Sequence, residues 1–413
     1  MSGDLNHRPT THVERELPRR DFLRLTATIA GAFTMAACGF RGSSSPGART
    51  DFKVGLILPS SGMYARLGDS IRKGMQLYLD GVANHAGGRR ILIFDEDEAA
   101  GNMSIPLAKA RKLVEQDRVD MIAGLVASQN ALAIHNYVDI NRVPTLIASA
   151  STNALSRSRK SAFVYRTSFS NWQHSQPMGR YLLDSGIGSL GLVYSDDQTG
   201  AETAAALKET YSGKVVAEVR TPSPNAGADF TPFITQINAA RPEAIHVFLT
   251  GVDAAAFLRQ AKTKLDRSIK VMGSGFLVEP DVLRAIGGGA PVGAVTGLHW
   301  ALTLDNRENR DFTTRFSGRF RRTADVLAMQ GYDTARVIVE ALNAVKGRTD
   351  DVAAFMRAIS RVSFKSPRGD FKFDANSNNV INPLYVRELV NDPKLGYANR
   401  VLRSLPSVAD PGR

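Results

Sequence analysis

The chain has one cysteine, Cys38, among its 413 residues, which excludes an intramolecular disulfide and leaves no thiolate set for a metal. Its histidines, His7, His12, His85, His135, His174, His246 and His299, fall into neither HExxH nor any other short ligand spacing, so no metal site is expected. No Gly-x-Gly-x-x-Gly opens a helix, no Gly-x-x-x-x-Gly-Lys-Ser/Thr loop occurs, and there is no Gly-x-Ser-x-Gly elbow. Dinucleotide binding, nucleoside triphosphate binding and hydrolase chemistry therefore lose their usual supports. No catalytic residue and no cofactor is expected, and the chain reads as a non-enzyme. Nor does any apolar run reach the roughly 20 residues that a membrane-spanning helix needs.

What is present is ordinary globular material, 43% hydrophobic, in a length that suits two lobes and a tail. The net charge is +12, of which the first 38 residues carry +1. A basic balance points to nucleic acid, an anionic membrane surface or acidic ligands. The N-terminal segment removes the first of these. Arg19 and Arg20 stand before Phe22 and Leu23, and a moderately apolar stretch follows, which resembles a twin-arginine export signal; the alternative is a buried helix behind a basic loop. The stretch ends Met35-Ala36-Ala37-Cys38, similar to a lipoprotein signal-peptidase box with Met35 where Leu is usual. Residues 1–38 would then be a signal peptide and Cys38 a lipidated first residue that anchors the chain without spanning the membrane; the alternative is a free thiol. Residues 39–50, rich in Gly and Ser, suit a flexible tether.

From residue 51 onward strands and helices alternate. FKVGLIL, RRILIFDEDEA and VDMIAG read as strands, and GDSIRKGMQLYLDGVANHAGG as an amphipathic helix with Ile71, Met75 and Leu79 on one side. Near-continuous apolar strands between helices mean a parallel sheet covered on both faces. The series restarts after Ser168 with SLGLVYSDD, KVVAEVRTP, EAIHVFLTG and SIKVMGSG as strands, which predicts a second α/β lobe. Beyond Gly297 two helices are expected, with Arg315, Arg319 and Arg322 along one stripe, by default a solvated basic face and otherwise a docking patch. SPRGDFKFDANSNN and PLYVREL read as a hairpin-like pair, and the end from Asp392 as mostly loop.

The stretch from Gly124 to Leu155 reads as two successive strand-to-helix corners, the first with Ser128 as helix N-cap, the second with Ser151, Thr152 and Asn153. Two helix N-termini at neighbouring strand ends would aim unpaired N–H groups into one crevice, a place for an anion. The other reading is that Ser128 and Thr152 cap their own helices and nothing more.

The residues then match a family. GLILPSSGMYARLGDSIRKGMQLYLDGVANHAGG, with Gly68 and Gly74 and its closing Gly-Gly, followed in order by VDMIAGLVAS, VPTLIASASTN, YRTS and QGYDTARVIVEAL, resembles the type I periplasmic binding proteins of branched-chain amino acid transporters. The resemblance implies an α/β fold of two Rossmann-like lobes, residues 51–167 with 298–378 and residues 168–297 with 379–413, joined by three crossovers and closing on a small ligand. It puts Ser128 on the ligand carboxylate, with Ala150, Ser151 and Thr152 finishing that contact. Thr199 stands where amino-acid-specific relatives have Tyr, Thr250 or Gly251 where they have a second aromatic residue, and Gly275 where an acid pairs the α-ammonium. Without that acid a buried ammonium costs several kcal/mol, so an ordinary α-amino acid is not expected unless Asp196, Asp197 or Asp253 substitutes. Tyr64, Leu67 and Phe276 are candidate apolar walls, or plain core. The resemblance implies a lipid-anchored, monomeric solute-binding subunit of an ABC importer, exported to the periplasmic side or cell surface, handing a small carboxylate-bearing solute to a permease, with no nucleic-acid partner. The alternative is a sensory or regulatory lipoprotein that uses the same fold to contact a receptor or a cell-wall enzyme.

Overall fold

The structure is a computed structural model that describes residues 50–62, 64–99, 104–222 and 229–413. Arg19, Arg20, Cys38 and all of the expected tether but Thr50 lie outside the described residues.

The first alternating series builds one sheet: β1 (Asp51–Leu58), β2 (His85–Ala86), β3 (Arg89–Asp97), β4 (Met121–Gly124), β5 (Thr145–Ile147) and β6 (Val164–Arg166), in the order β2-β3-β1-β4-β5-β6. All neighbours are parallel except the short β2. Helices α1 (Ala65–Gly81), α2 (Ser104–Arg111) and α3 (Ser128–Ile140) connect them. β1 is apolar along its length because both its faces are covered: Phe52, Val54, Leu56 and Leu58 pack under α1, while Ile57 packs with Leu113, Ile122 and Ile134 on the other side.

The second series adds α4 (Asn171–Asp184), β7 (Ser189–Ser195), α5 (Gln198–Lys208), β8 (Lys214–Thr221), α6 (Thr231–Ala240), β9 (Ala244–Phe248), α7 (Gly251–Lys264), β10 (Lys270–Ser274), α8 (Pro280–Ile286) and β11 (Val295–Leu298). The strands lie in parallel as β8-β7-β9-β10-β11, with Leu182, Ala204 and Leu207 of α4 and α5 on one face and residues of α6, α7 and α8 on the other. The sequence reading has no element where α4 runs. That helix is polar and holds Pro177 in its interior, and what secures its start is a reciprocal cap between Ser170 and Gln173.

The chain then returns to the first sheet with α9 (Arg307–Phe320), α10 (Val326–Ala344), α11 (Val352–Ser360) and a small hairpin of β12 (Ser363–Ser366) and β13 (Gly369–Lys372), and ends on the second sheet with β14 (Asn382–Asp392) and β15 (Gly396–Val408). Two expectations fail here. SPRGDFKF and PLYVREL do not pair with each other; β13 pairs back to β12, and β14 pairs antiparallel to β11 and β15. The end of the chain is a long edge strand, disguised by its exposed, charged and Pro-containing sequence, which an edge tolerates. The arginine stripe is corrected too. α9 stops at Arg321, which is left-handed at φ 54°, so Arg322 leaves the helix and pairs Asp69 at 2.8 Å. Arg315 donates to the Leu77 carbonyl at 3.3 Å, and Arg319 lies 3.6 Å from Asp80. The stripe is a seam onto α1.

Between the sheets the chain passes at residues 167–170, 299–306 and 374–381. Buried charge stitches these passages. Arg368 pairs Asp333 at 2.9 Å with both side chains fully buried, and its guanidinium also donates to Asn382 at 2.9 Å and to the Ser168 carbonyl at 3.2 Å. Arg166 donates to Asn379 at 2.8 Å and to the Thr152 carbonyl at 2.7 Å.

Gly68 and Gly74, which set the spacing in the first helix, owe their identity to contact. A side chain at Gly68 would collide with the carbonyl of Pro59, and one at Gly74 with the carbonyl of Ala328 on α10, while Gly331 of α10 faces the Ile71 carbonyl in the same way. Overpacking such a contact costs about 1–3 kcal/mol. Gly74→Ala is therefore expected to lower the urea unfolding midpoint by a corresponding amount; an unchanged midpoint would mean that α1 and α10 do not approach this closely.

Candidate functional site

The loops at the carboxyl ends of β1, β4 and β5 face those of β7, β9 and β10 across a cleft of about 250 Å³. Ser128, Ser151, Thr199 and Thr250 line it, as do Gly251, Asp197, Asp253, Tyr64, Leu67 and Phe276. Ala150 and Thr152 are fully buried and lie outside the lining. Gly275 is also outside it, covered by Arg387 and Leu298, with its carbonyl accepting from Arg387 at 3.0 Å. Asp196 is not among the lining residues either.

The corner after β4 differs from its sequence reading in one physical respect. The N-cap of α3 is Ala127, without a side-chain cap bond, and Ser128 is the first helical residue. Its Oγ instead accepts the N–H groups of Ser151 at 3.2 Å and Thr152 at 3.1 Å. A hydroxyl has two lone pairs and one proton, so the proton is what Ser128 has left to offer the cleft. Behind it stands Glu98, 0% exposed. One Glu98 oxygen, Oε2, accepts from Val126 N–H at 2.8 Å; the other, Oε1, accepts from Ala127 N–H at 2.8 Å and Asn130 Nδ2 at 3.1 Å. Burial pushes its pKa up to about 7 against the pull of these donors. The next two N–H groups of α3, on Ser128 and Gln129, meet no protein acceptor among the described residues.

The corner after β5 opens only a short turn, Asn153–Ser156, that Thr152 caps by accepting from Ala154 N–H at 3.4 Å. It is not a second helix terminus. Its donors are already taken by Glu202 of α5, which accepts from Thr152 Oγ1 at 2.9 Å, Asn153 N–H at 2.8 Å and Asn171 Nδ2 at 2.8 Å. Of the two corners, the first keeps backbone donors for a guest, and the second keeps the Ser151 hydroxyl, which lines the cleft.

The middle of the cleft is apolar. Phe169, on the first passage between the sheets, stands 5.3 Å from Phe276, and Val326 and Leu327 at the start of α10 complete the wall. Phe169 stacks on His174 at 4.0 Å and 10°, and His174 Nε2 meets His299 Nδ1 at 2.7 Å. Burial, with the charges of Arg387 and Arg368 adding, pushes His174 down to about 3. His299 lies well below the ordinary histidine value, chiefly through burial. Two neutral rings share one hydrogen bond, and the aromatic wall rests on them.

The far end is acidic. Glu279 accepts from Arg387 at 3.1 Å and from Val326 N–H at 3.0 Å, and burial pushes its pKa up to about 7. Asp325 accepts from Ser70 Oγ and Ala328 N–H at 2.7 and 2.8 Å. Asp281 joins them, its pKa raised by burial and then by Asp325. The sequence reading missed all three. Asp325 and Asp281 sit at helix starts, where an acid reads as a cap, and only the fold turns those starts toward the cleft. Among the described residues, no Lys or Arg lines it.

The state of the two histidines can be checked directly. Both imidazoles are expected to stay neutral from pH 8 to pH 5 in NMR titrations of the folded protein; a ring titrating near 6.5 would contradict the buried pair.

A family profile described as Periplasmic binding protein matches residues 51–394. The chain is 28% identical over 371 residues, 87% of its own length and 93% of the relative's, to a Leu/Ile/Val-binding protein homolog 6 of Brucella melitensis. Among solved structures, a solute-binding protein of an ABC transporter from R. palustris in complex with benzoate superposes with a TM-score of 0.80 at 29% identity, covering 88% of this chain and 98% of that one. A solute-binding protein of an ABC transporter from Rhodopseudomonas palustris BisB5 in complex with 3,4-dihydroxybenzoic acid gives 0.82 at 29% identity, covering 88% and 99%.

Proposed function

Because the chain belongs to the periplasmic binding protein family, we propose that it is the solute-binding subunit of an ABC importer, capturing a small carboxylate-bearing solute in the cleft and presenting it to a membrane permease. The observation that carries this reading is the Ser128 hydroxyl. With two backbone N–H groups donated into it, it faces the cleft as a donor, beside the N-terminal N–H groups of α3. A guest there has to bring an acceptor, and a carboxylate is the strongest one available.

The solute in this reading is an aromatic monocarboxylate. The wall of Phe169 and Phe276 suits a ring, and the cleft volume, near the lower end for small-molecule sites, suits a ligand of about one ring. The complexes of two relatives with benzoate and 3,4-dihydroxybenzoic acid support it. A branched-chain amino acid is the competing solute. Ser128, Ser151, Thr199 and Thr250 are the contacts in this reading, with Ala150 and Thr152 supporting from behind and Gly275 clearing room for Arg387. Lobe limits at 51–167 with 298–378 and 168–297 with 379–413 belong to the same proposal and are supported by where the chain passes between the sheets. So do export under Arg19 and Arg20, a lipid on Cys38 and action as a monomer at the membrane surface; these rest on the sequence.

A thermal-shift screen of benzoate, 4-hydroxybenzoate, 3,4-dihydroxybenzoate, leucine and valine tests the reading, since a ligand at 100 times its Kd stabilises by about 2.7 kcal/mol. An aromatic acid is expected to give the largest shift; a win for leucine or valine would overturn the aromatic assignment. Ser128→Ala is expected to weaken binding by roughly 10- to 100-fold, the range for a hydrogen bond to a charged group. Undiminished binding would mean that the carboxylate sits elsewhere.

A further inference from the structure

Glu98 lies where a ligand carboxylate and a protein carboxylate would compete for one helix terminus. It is 0% exposed and holds the N–H groups of Val126 and Ala127, while the guest is left those of Ser128 and Gln129. The groups that face it offer no compensating cation. Asp97, the last residue of β3 and next to Glu98 in the chain, is held ionised, its pKa lowered to about 2 by Ser61, Ser60 and Ala99 against the effect of burial. Tyr64 comes from the corner after β1, and its own pKa is raised first by burial and then by Asp253, Asp197 and Glu98. From α3 there is only the neutral Asn130. Across the cleft stand Asp197 and Asp253, and the lining further on contributes Glu279, Asp281 and Asp325 without a Lys or Arg. An anion entering this cleft meets hydrogen-bond donors, while the nearby cations Arg387 and Arg322 are already paired with Glu279 and Asp325.

We propose that Glu98 takes up a proton when a carboxylate binds, so that carboxylate and proton enter the site together and Glu98 sets the pH range of capture. The inference rests on the carboxylate reading above. The proton comes from solvent and goes to Oε2 of Glu98. That oxygen has a single donor, Val126 N–H, whereas Oε1 has two, so a lone pair on Oε2 is open to it and no existing hydrogen bond need be lost. With Glu98 neutral, the α3 terminus faces one negative charge, that of the guest. Glu98 is a positioning residue that acts through the corner it holds, without touching the ligand. A pKa of about 7 leaves the group mostly ionised above neutrality, and a bound anion raises it further.

The sign follows by linkage. Binding is insensitive to pH well below 7, where Glu98 is already protonated, and weakens as pH rises through 7, by up to about tenfold per pH unit until the pKa of the complex is reached. The test is isothermal calorimetry on the chain from residue 39, without the lipid-bearing Cys38, with benzoate, 3,4-dihydroxybenzoate and leucine, at pH 7.5 in two buffers of different ionisation enthalpy, and again from pH 6 to pH 9. Uptake of roughly 0.5 to 0.75 proton per carboxylate bound at pH 7.5, with affinity falling above pH 7, is expected. Glu98→Gln, which carries no titrating group, should lose this uptake and flatten the pH profile, because Glu279, also raised to about 7, sits at the far end with Arg387 as its counter-ion. If a carboxylate binds to the unaltered protein with no proton exchange, the inference fails and the carboxylate reading stands. If uptake persists in Glu98→Gln, the proton goes to another group and the assignment to Glu98 fails. If none of the three carboxylates binds, the carboxylate reading fails and takes this inference with it.

Discussion

Ser128 Oγ receives the N–H groups of Ser151 and Thr152 at 3.2 and 3.1 Å, which ties the corner after β4 to the corner after β5 and fixes the direction of the remaining hydroxyl proton. The chemistry of the cleft depends on that arrangement. Glu202 takes the remaining donors of the second corner, and Glu98 takes Val126 and Ala127 of the first. What the two corners leave open to a guest is the start of α3 with the Ser128 and Ser151 hydroxyls.

The other parts of the site follow from the same economy. The wall of Phe169 rests on a neutral histidine pair that touches two passages of the chain and α10, so the apolar surface a ring would lie on is carried by elements that join the two sheets. The acids at the far end are mostly engaged by the protein itself: Glu279 by Arg387 and Val326, Asp325 by Ser70 and Ala328. They make the cleft negative inside a chain of net charge +12. An anionic solute would be drawn to the surface by the overall charge and then held by directed donors in a lining that offers no basic side chain.

Much of the frame was legible in the sequence because strand-helix alternation and apolar strands depend on local pattern. Gly68 and Gly74 were readable as marks of the first helix, and the contacts with Pro59 and Ala328 give the reason. The corners at Ser128 and Thr152 were found for the right residue types but with the wrong partners. Ser128 looked like a cap, and a bond from a neighbouring loop replaces the local one. Glu98 and Glu202 could not be assigned, since each acts on a corner about 30 to 50 residues away in the chain. α4 was hidden by its polarity and Pro177, β15 by its exposed edge, and the arginine stripe by the assumption that Arg322 stayed on a helix that ends before it. Long-range pairing, which sequence pattern does not encode, separates these failures from the successes.

The central claim is that one helix start, completed by the Ser128 hydroxyl, receives a carboxylate. A crystal structure of the protein with the best-binding acid of the screen tests it most directly. The account predicts a ligand carboxylate oxygen within hydrogen-bond distance of Ser128 Oγ and of an α3 N–H group, with the ring between Phe169 and Phe276. A carboxylate found at the Glu279 and Asp281 end, or a ligand that leaves Ser128 uncontacted, would contradict it.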